Sequence, residues 1–299
     1  MIAGAVCVAG VLALAAAGPP APAPPATPEP AGGCCGGGPE PAPPPPPGTR
    51  VLRVTADPNN LPFTNDRREG FENRIADILA AELGAEVRYT WRAQRRGFFR
   101  EALKEGGADL VLGVPAGFDL ALTTAPYYRS TYVFVSRADR RLGVRTLDDP
   151  ALKALKVGVQ MIGDDGVNTP PAHALARRGV VDNLIGFTVY GDYRDESPPA
   201  RIVEAVAKGD VDVAVAWGPM AGYFAKRQGM PLEVTPVKPE ADPPGLRFTF
   251  AIAMGVRKGD TKLRDEIDVA LKRRKADVDK VLDDYGVPRV AGPAPKPER

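Results

Sequence analysis

Residues 100–117 read REALKEGGADLVLGVPAG, and residues 203–222 read VEAVAKGDVDVAVAWGPMAG. Each is a helical pattern stopped by glycine, then a short apolar strand introduced by Asp, then a Gly/Pro loop. A second pair of segments, VLRVTADPNN (51–60) and ALKVGVQMIGDD (154–165), shows the same kinship. Leu52 to Leu155 and Asp109 to Asp212 are both separated by about 103 residues. Two echoes at one offset predict two similar lobes.

The rest of the chain alternates in the same way. FENRIADILAAEL (71–83) sets Phe71, Ile75, Ile78, Leu79 and Leu83 on one helical face, and Gly84 ends it. EVRYTW (86–91), STYVFVS (130–136), LKVGVQ (155–160), FTVYGDY (187–193) and TFAIAMGVR (249–257) read as strands from their β-branched and aromatic content. Residues 261–285 form the last helical stretch, closed by Gly286 and Pro288. Strand–helix alternation predicts an α/β protein, each lobe a mostly parallel sheet flanked by helices.

Outside this region the composition changes. Residues 2–17 are an apolar run, short for a membrane span and suited to the core of an export signal, with small-residue cleavage sites at 13–17. No Lys or Arg precedes the run, so an uncleaved anchor is the rival reading. Residues 19–48 are almost wholly Pro, Ala and Gly, which bury too little to offset their ordering entropy. The predicted organisation is a signal peptide (1–17), a disordered spacer (18–49), lobe 1 (50–138), lobe 2 (139–240), a return to lobe 1 with C-terminal helices (241–288) and a disordered tail (289–299). Cys34 and Cys35 fall in the spacer and the folded part has no cysteine, which fits an exported protein without a disulfide framework. Net charge is +2 with mixed signs and no basic stripe, which argues against nucleic acid.

In open α/β sheets, ligands meet the loops at the carboxyl ends of strands. Four loops qualify: DPNNLPF (57–63), PAG (115–117), MIGDDGVNTPP (161–171) and GPMAG (218–222). The first holds two prolines, which reduce the freedom lost on ordering. His173 is the lone histidine, so a Ser-His-Asp triad or His-rich zinc site is nearly excluded by inventory. No phosphate-loop or dinucleotide fingerprint is present in the folded part. Asp164 and Asp165 are paired carboxylates, read first as a polar turn between Gly163 and Gly166. No cofactor or metal is expected, and no enzymatic role. Tyr128 and Phe63, at loop edges, are expected to be exposed.

The segments GFENRIADILAAELG (70–84), ADLVLGV (108–114) and TTAPYYRSTYVFV (123–135) resemble the type II periplasmic solute-binding proteins over about residues 50–288. That resemblance implies a two-lobed fold. A narrower one rests on ADPNNLPFTNDRREGFENRIADILAAELG (56–84), APYYRSTYVFVSR (125–137), VGVQMIGDDGVNTPPAHALARRG (157–179) and VYGDY (189–193). These resemble the J-type proteins (MxaJ/XoxJ) linked to quinoprotein methanol dehydrogenases. The resemblance implies a periplasmic partner that assists or activates a dehydrogenase dependent on pyrroloquinoline quinone (PQQ), with its cytochrome c as a further possible contact. The amino-acid-binding branch carries an Arg before its crossover segment, whereas residues 115–127 here have neither Arg nor Lys. Bidentate grip of an α-carboxylate loses its main anchor. Arg74 and Arg129 are the nearest substitutes.

The residues expected to line a ligand or partner cleft are Asp57, Asn60, Pro62, Phe63, Asn73, Arg74, Tyr128, Arg129, Asp165 and Trp217. Two other functions stand beside the dehydrogenase-partner reading: a solute receptor for an ABC transporter, and an enzyme on the same fold such as a dehydratase.

Overall fold

The computed structural model describes residues 46–292 except 96, 106, 163–166 and 190–192. The expected signal, most of the spacer and the last seven residues lie outside the described residues. In chain order the main elements are β1 (Arg50–Ala56), α1 (Phe71–Glu82), β2 (Ala85–Trp91), β3 (Leu110–Pro115), β4 (Tyr128–Arg137), β5 (Val157–Ile162), α2 (Pro170–Arg177), β6 (Leu184–Thr188), α3 (Arg201–Lys208), β7 (Val213–Trp217), α4 (Gly218–Ala225), β8 (Leu232–Pro236), β9 (Thr249–Val256), α5 (Thr261–Arg273) and α6 (Lys275–Asp284). A helical turn at Phe98–Arg100 runs into a π-helical stretch, Glu101–Glu105, between β2 and β3.

These strands form one mixed sheet in the order β6-β5-β7-β4-β9-β3-β1-β2, with β8 added to β4. Pairs β1–β2, β1–β3, β5–β6 and β5–β7 are parallel. The antiparallel strands are the connectors. β4 pairs with β9 through Tyr128–Thr131, then with β7 through Tyr132–Ser136. The partner of β4 thus changes between Thr131 and Tyr132. Each lobe keeps its own core. Phe71, Ile75 and Leu79 of α1 pack with Leu52, Val54, Leu110 and Met254 in lobe 1. In lobe 2, Ile202, Val203 and Val206 of α3 cover one face of the sheet, and Leu152 and Leu175 pack on the other, with Val213 of β7.

The 103-residue echo is physical. In lobe 1, the Asp109 amide donates to the Arg53 carbonyl at 2.8 Å, and the Arg53 amide donates to Asp109 Oδ2 at 2.9 Å. In lobe 2, the Asp212 amide donates to the Lys156 carbonyl at 2.9 Å, and the Lys156 amide donates to Asp212 Oδ2 at 2.8 Å. Each Asp ties the strand it precedes to the neighbouring strand by a side-chain and a main-chain bond. The pairing satisfies backbone groups that a strand end would leave open.

The final helical stretch is two helices. Residues 289–291, expected in the disordered tail, are instead held on β4: the Val290 amide donates to the Arg129 carbonyl at 3.0 Å, and Arg129 Nη1 donates to the Ala291 carbonyl at 3.0 Å. Among the described residues no helix is long and apolar enough to cross a membrane.

Candidate functional site

The loop after β1 is built from its own backbone demands. The Phe63 amide donates to the Asn60 carbonyl at 2.9 Å, closing a turn. The carbonyls of Pro62 and Phe63 then accept from the amides of Phe71 and Glu72 at 2.8 and 3.0 Å. Helix α1 begins against this loop, which answers N–H groups that have no intrahelical partner. Gly70 is required there, because a Cβ would lie 2.0 Å from the Phe63 carbonyl oxygen. Asn73, fully buried, accepts from the amides of Gly70 (3.0 Å) and Asn65 (3.2 Å). Its work is capping, and it holds the loop to the helix.

Asp57 is buried and accepts three hydrogen bonds. Its Oδ1 accepts from the Asn59 amide at 2.8 Å; its Oδ2 accepts from the Gln94 amide at 2.6 Å and the Tyr193 hydroxyl at 2.9 Å. Tyr193 belongs to lobe 2, so this carboxylate joins the lobes. Asn59 Nδ2 makes a second crossing, donating to the Asp195 carbonyl at 2.7 Å. Asn60 donates to Gln94 Oε1 at 3.0 Å. Leu61, 8 % exposed, enters the lobe 2 core with Val135, Ala200, Ile202 and Met220. Pro62 is buried beside it. Phe63 is half-buried and packs against both cores, 5.3 Å from the Phe71 ring. The loop is thus a seam between the lobes.

A second fastening joins α4 to the segment after α6. Tyr223 of α4 stacks on Tyr285, which follows α6, at 5.6 Å and 14°. The Tyr285 hydroxyl donates to the Glu69 carbonyl, and the Arg227 guanidinium covers the far face of Tyr223 at 3.5 Å. Stacked aromatics add about 1 kcal/mol beyond their buried area.

Other expected cleft residues go elsewhere. Tyr128 is buried, not exposed: it points into the lobe 1 core, 6.1 Å from Phe71, because strand alternation turns it inward. Arg74 is exposed on α1, whose opposite face carries the core residues. Arg129 is committed to Glu240 at 2.6 Å and to the Ala291 carbonyl. Trp217 is half-buried where the cores meet, its ring 5.4 Å from Tyr132 and 5.9 Å from Phe250, and its amide donates to Gln160 Oε1 at 2.8 Å. Asp165 lies outside the described residues, with Asp164. His173 is exposed on α2.

One titratable group stands out beneath the seam. Glu72, in the first turn of α1, is buried against Gly113, where any added Cβ would come within 2.4 Å of Glu72 Oε1. Burial pushes its carboxyl up to about 8, with the Tyr127 hydroxyl offsetting part of the rise. Its Oε1 has no hydrogen-bond partner. Among the described residues, no group of three or more His, Cys, Asp or Glu could hold a metal ion.

Leu61, Asn59 and Tyr193 carry the seam, and the sequence reading passed over all three. Leu61 had one signal: an apolar side chain in an otherwise polar, stiff loop has to be buried somewhere.

Residues 52–287 match the family of bacterial extracellular solute-binding proteins, family 3. The chain is 33% identical over 249 residues to protein MoxJ of Methylorubrum extorquens, covering 80% of this chain and 81% of that relative. The crystal structure of the periplasmic binding protein XoxJ from Methylobacterium extorquens AM1 superposes with a TM-score of 0.67 at 35% identity, covering 81% of this chain and 100% of that one. MxaJ from Methlophaga aminisulfidivorans MPT gives 0.69 at 29%, covering 80% and 100%. The mixed sheet with two cores is therefore the two-lobed type II periplasmic binding protein fold. The chain belongs to the bacterial extracellular solute-binding proteins of family 3.

Proposed function

We propose that this chain is a non-catalytic binding protein of the periplasm, exported by its N-terminal segment, that assists maturation or activation of a PQQ-dependent methanol dehydrogenase through protein–protein contact. The observation that carries this reading is the seam. The loop that would offer polar groups to a solute directs them inward: Asp57 accepts three hydrogen bonds from its own chain, and Leu61 sits in the opposite lobe's core. A fixed body presents a constant outer surface, which suits docking. The likeness to MoxJ, XoxJ and MxaJ supports the methanol-oxidation setting.

The family's description favours a second reading, a solute receptor of an ABC transporter. That reading requires the lobes to part and close around a ligand. Cross-linking in intact periplasm followed by mass spectrometry separates the two. Recovery of a quinoprotein dehydrogenase subunit in near-equal amount supports the partner role. Release of a small molecule on denaturation, with no dehydrogenase captured, moves the receptor to first place.

A further inference from the structure

Strand β8 is an edge of the sheet. It pairs with β4 on one side, Leu232 opposite Arg137 through Pro236 opposite Val133, and among the described residues no strand pairs with its other side. Bonds flanking the strand fix which residues face outward. The Ala138 amide donates to the Pro231 carbonyl at 3.1 Å, and the Val237 amide donates to the Tyr132 carbonyl at 3.0 Å. Hydrogen-bonded positions alternate along an antiparallel pair. Positions 231, 233, 235 and 237 therefore turn their backbone groups to β4, and Leu232, Val234 and Pro236 turn theirs away. Pro236 agrees with this parity, since a residue without an N–H is tolerated where the group would face outward.

The side chains of those outward positions line a groove of about 690 Å³. Leu232, Val234 and Pro236 form one wall; Val133 and Met230 add apolar surface, and Ala225 closes the side toward α4. The volume falls in the range of about 300–1,000 Å³ typical of ligand sites. The charged residue lining it is Lys226, exposed at the end of α4, its ammonium 3.5 Å from the Asp283 carbonyl oxygen. Glu233 and Thr235 point to the opposite face, where the Thr235 hydroxyl donates to Glu233 Oε1 at 3.3 Å.

We propose that β8 receives an extended segment of a partner protein as a further strand, whose side chains on this face are apolar and turn toward the groove and include a carboxylate that meets Lys226. The open backbone edge calls for a strand. The apolar wall on that one face sets the alternation, and the cation at its rim selects an acidic residue. An acyl chain would fill the wall but leave the N–H groups of Leu232 and Val234 unanswered. Pro236 limits the added strand at one end. The proposal stands independently of the dehydrogenase role, since it specifies the recognised segment and not its owner.

The test uses the whole chain and a capped eight-residue peptide alternating Val and Thr with one Asp near its end. A matched peptide carries Lys in place of the Asp. The expected result is micromolar binding of the acidic peptide by fluorescence anisotropy, with slowed amide exchange at Leu232 and Val234. Lys226→Glu should weaken the acidic peptide about tenfold and strengthen the basic one, as expected for a close charge pair. Val234→Pro removes one outward N–H while leaving the bonds to β4, and should weaken the acidic peptide about tenfold with an unchanged melting curve. Protection at Leu184–Thr188 or Ala85–Trp91 instead, the two end strands of the sheet, would overturn the assignment. So would indifference to both substitutions, or the same protection arising from self-association without peptide, which would make a second copy the occupant.

Discussion

Replacing Glu72 by Gln tests the reading of lobe 1 from the inside. The carboxyl is wholly buried, and burial raises it from an ordinary 4.5 to about 8. Between those values the folded chain holds a proton that the unfolded chain releases. Stability then falls as pH rises through that window, because the folded state binds more protons there. Each unit of separation is about 1.4 kcal/mol. The full window amounts to at most roughly 5 kcal/mol, and relaxation with water entry lowers it to roughly 2–3 kcal/mol. Gln keeps the shape and cannot ionise. Urea unfolding at pH 5, 6, 7 and 8 should show the native chain losing roughly 2–3 kcal/mol relative to Glu72→Gln as pH rises, with the two closest at pH 5. Parallel profiles, or a native chain that gains on the variant toward alkaline pH, would refute a neutral buried carboxyl.

Three further outcomes follow from the seam. Leu61→Ala should cost about 2–4 kcal/mol, the usual range for a buried leucine, and should speed amide exchange in residues 198–206 of the opposite lobe. An effect confined to lobe 1 would contradict the crossing. Tyr193→Phe removes one donor to Asp57 and should cost about 1 kcal/mol, with faster exchange at the Gln94 amide, which shares that oxygen; unchanged exchange would place the hydroxyl elsewhere. Gly70→Ala forces the Phe63 carbonyl away and should cost more than about 3 kcal/mol by urea unfolding, whereas Gly229→Ala, with open space around it, should change stability by under about 1 kcal/mol.

The lobes were legible because they rest on local pattern. Asp109 and Asp212 mark equivalent strand starts, and each repeats the same pair of hydrogen bonds. Helix α1 followed from the spacing of Phe71, Ile75 and Leu79, which face the core. The connectors were less legible. Periodicity identifies β4 as a strand but says nothing of its change of partner at Tyr132. The seam was hardest, because it depends on contacts between residues far apart in sequence: Asp57 with Tyr193, Asn59 with Asp195. A polar residue in a loop reads as a ligand group until its partners are known. Asn73 is a case in point, a buried cap whose side-chain oxygen is turned to two backbone amides. Tyr128 shows the same limit for aromatics, since its position beside a loop gave no sign of which way the strand would turn it.

The most direct test of the account combines the purified chain with a purified PQQ-dependent methanol dehydrogenase in analytical ultracentrifugation, before and after dialysis of the chain against denaturant and refolding. The account predicts a complex of defined stoichiometry at micromolar concentrations that survives the removal of small molecules. Absence of a complex, together with a periplasmic solute that binds the refolded chain tightly and changes its sedimentation, would contradict it.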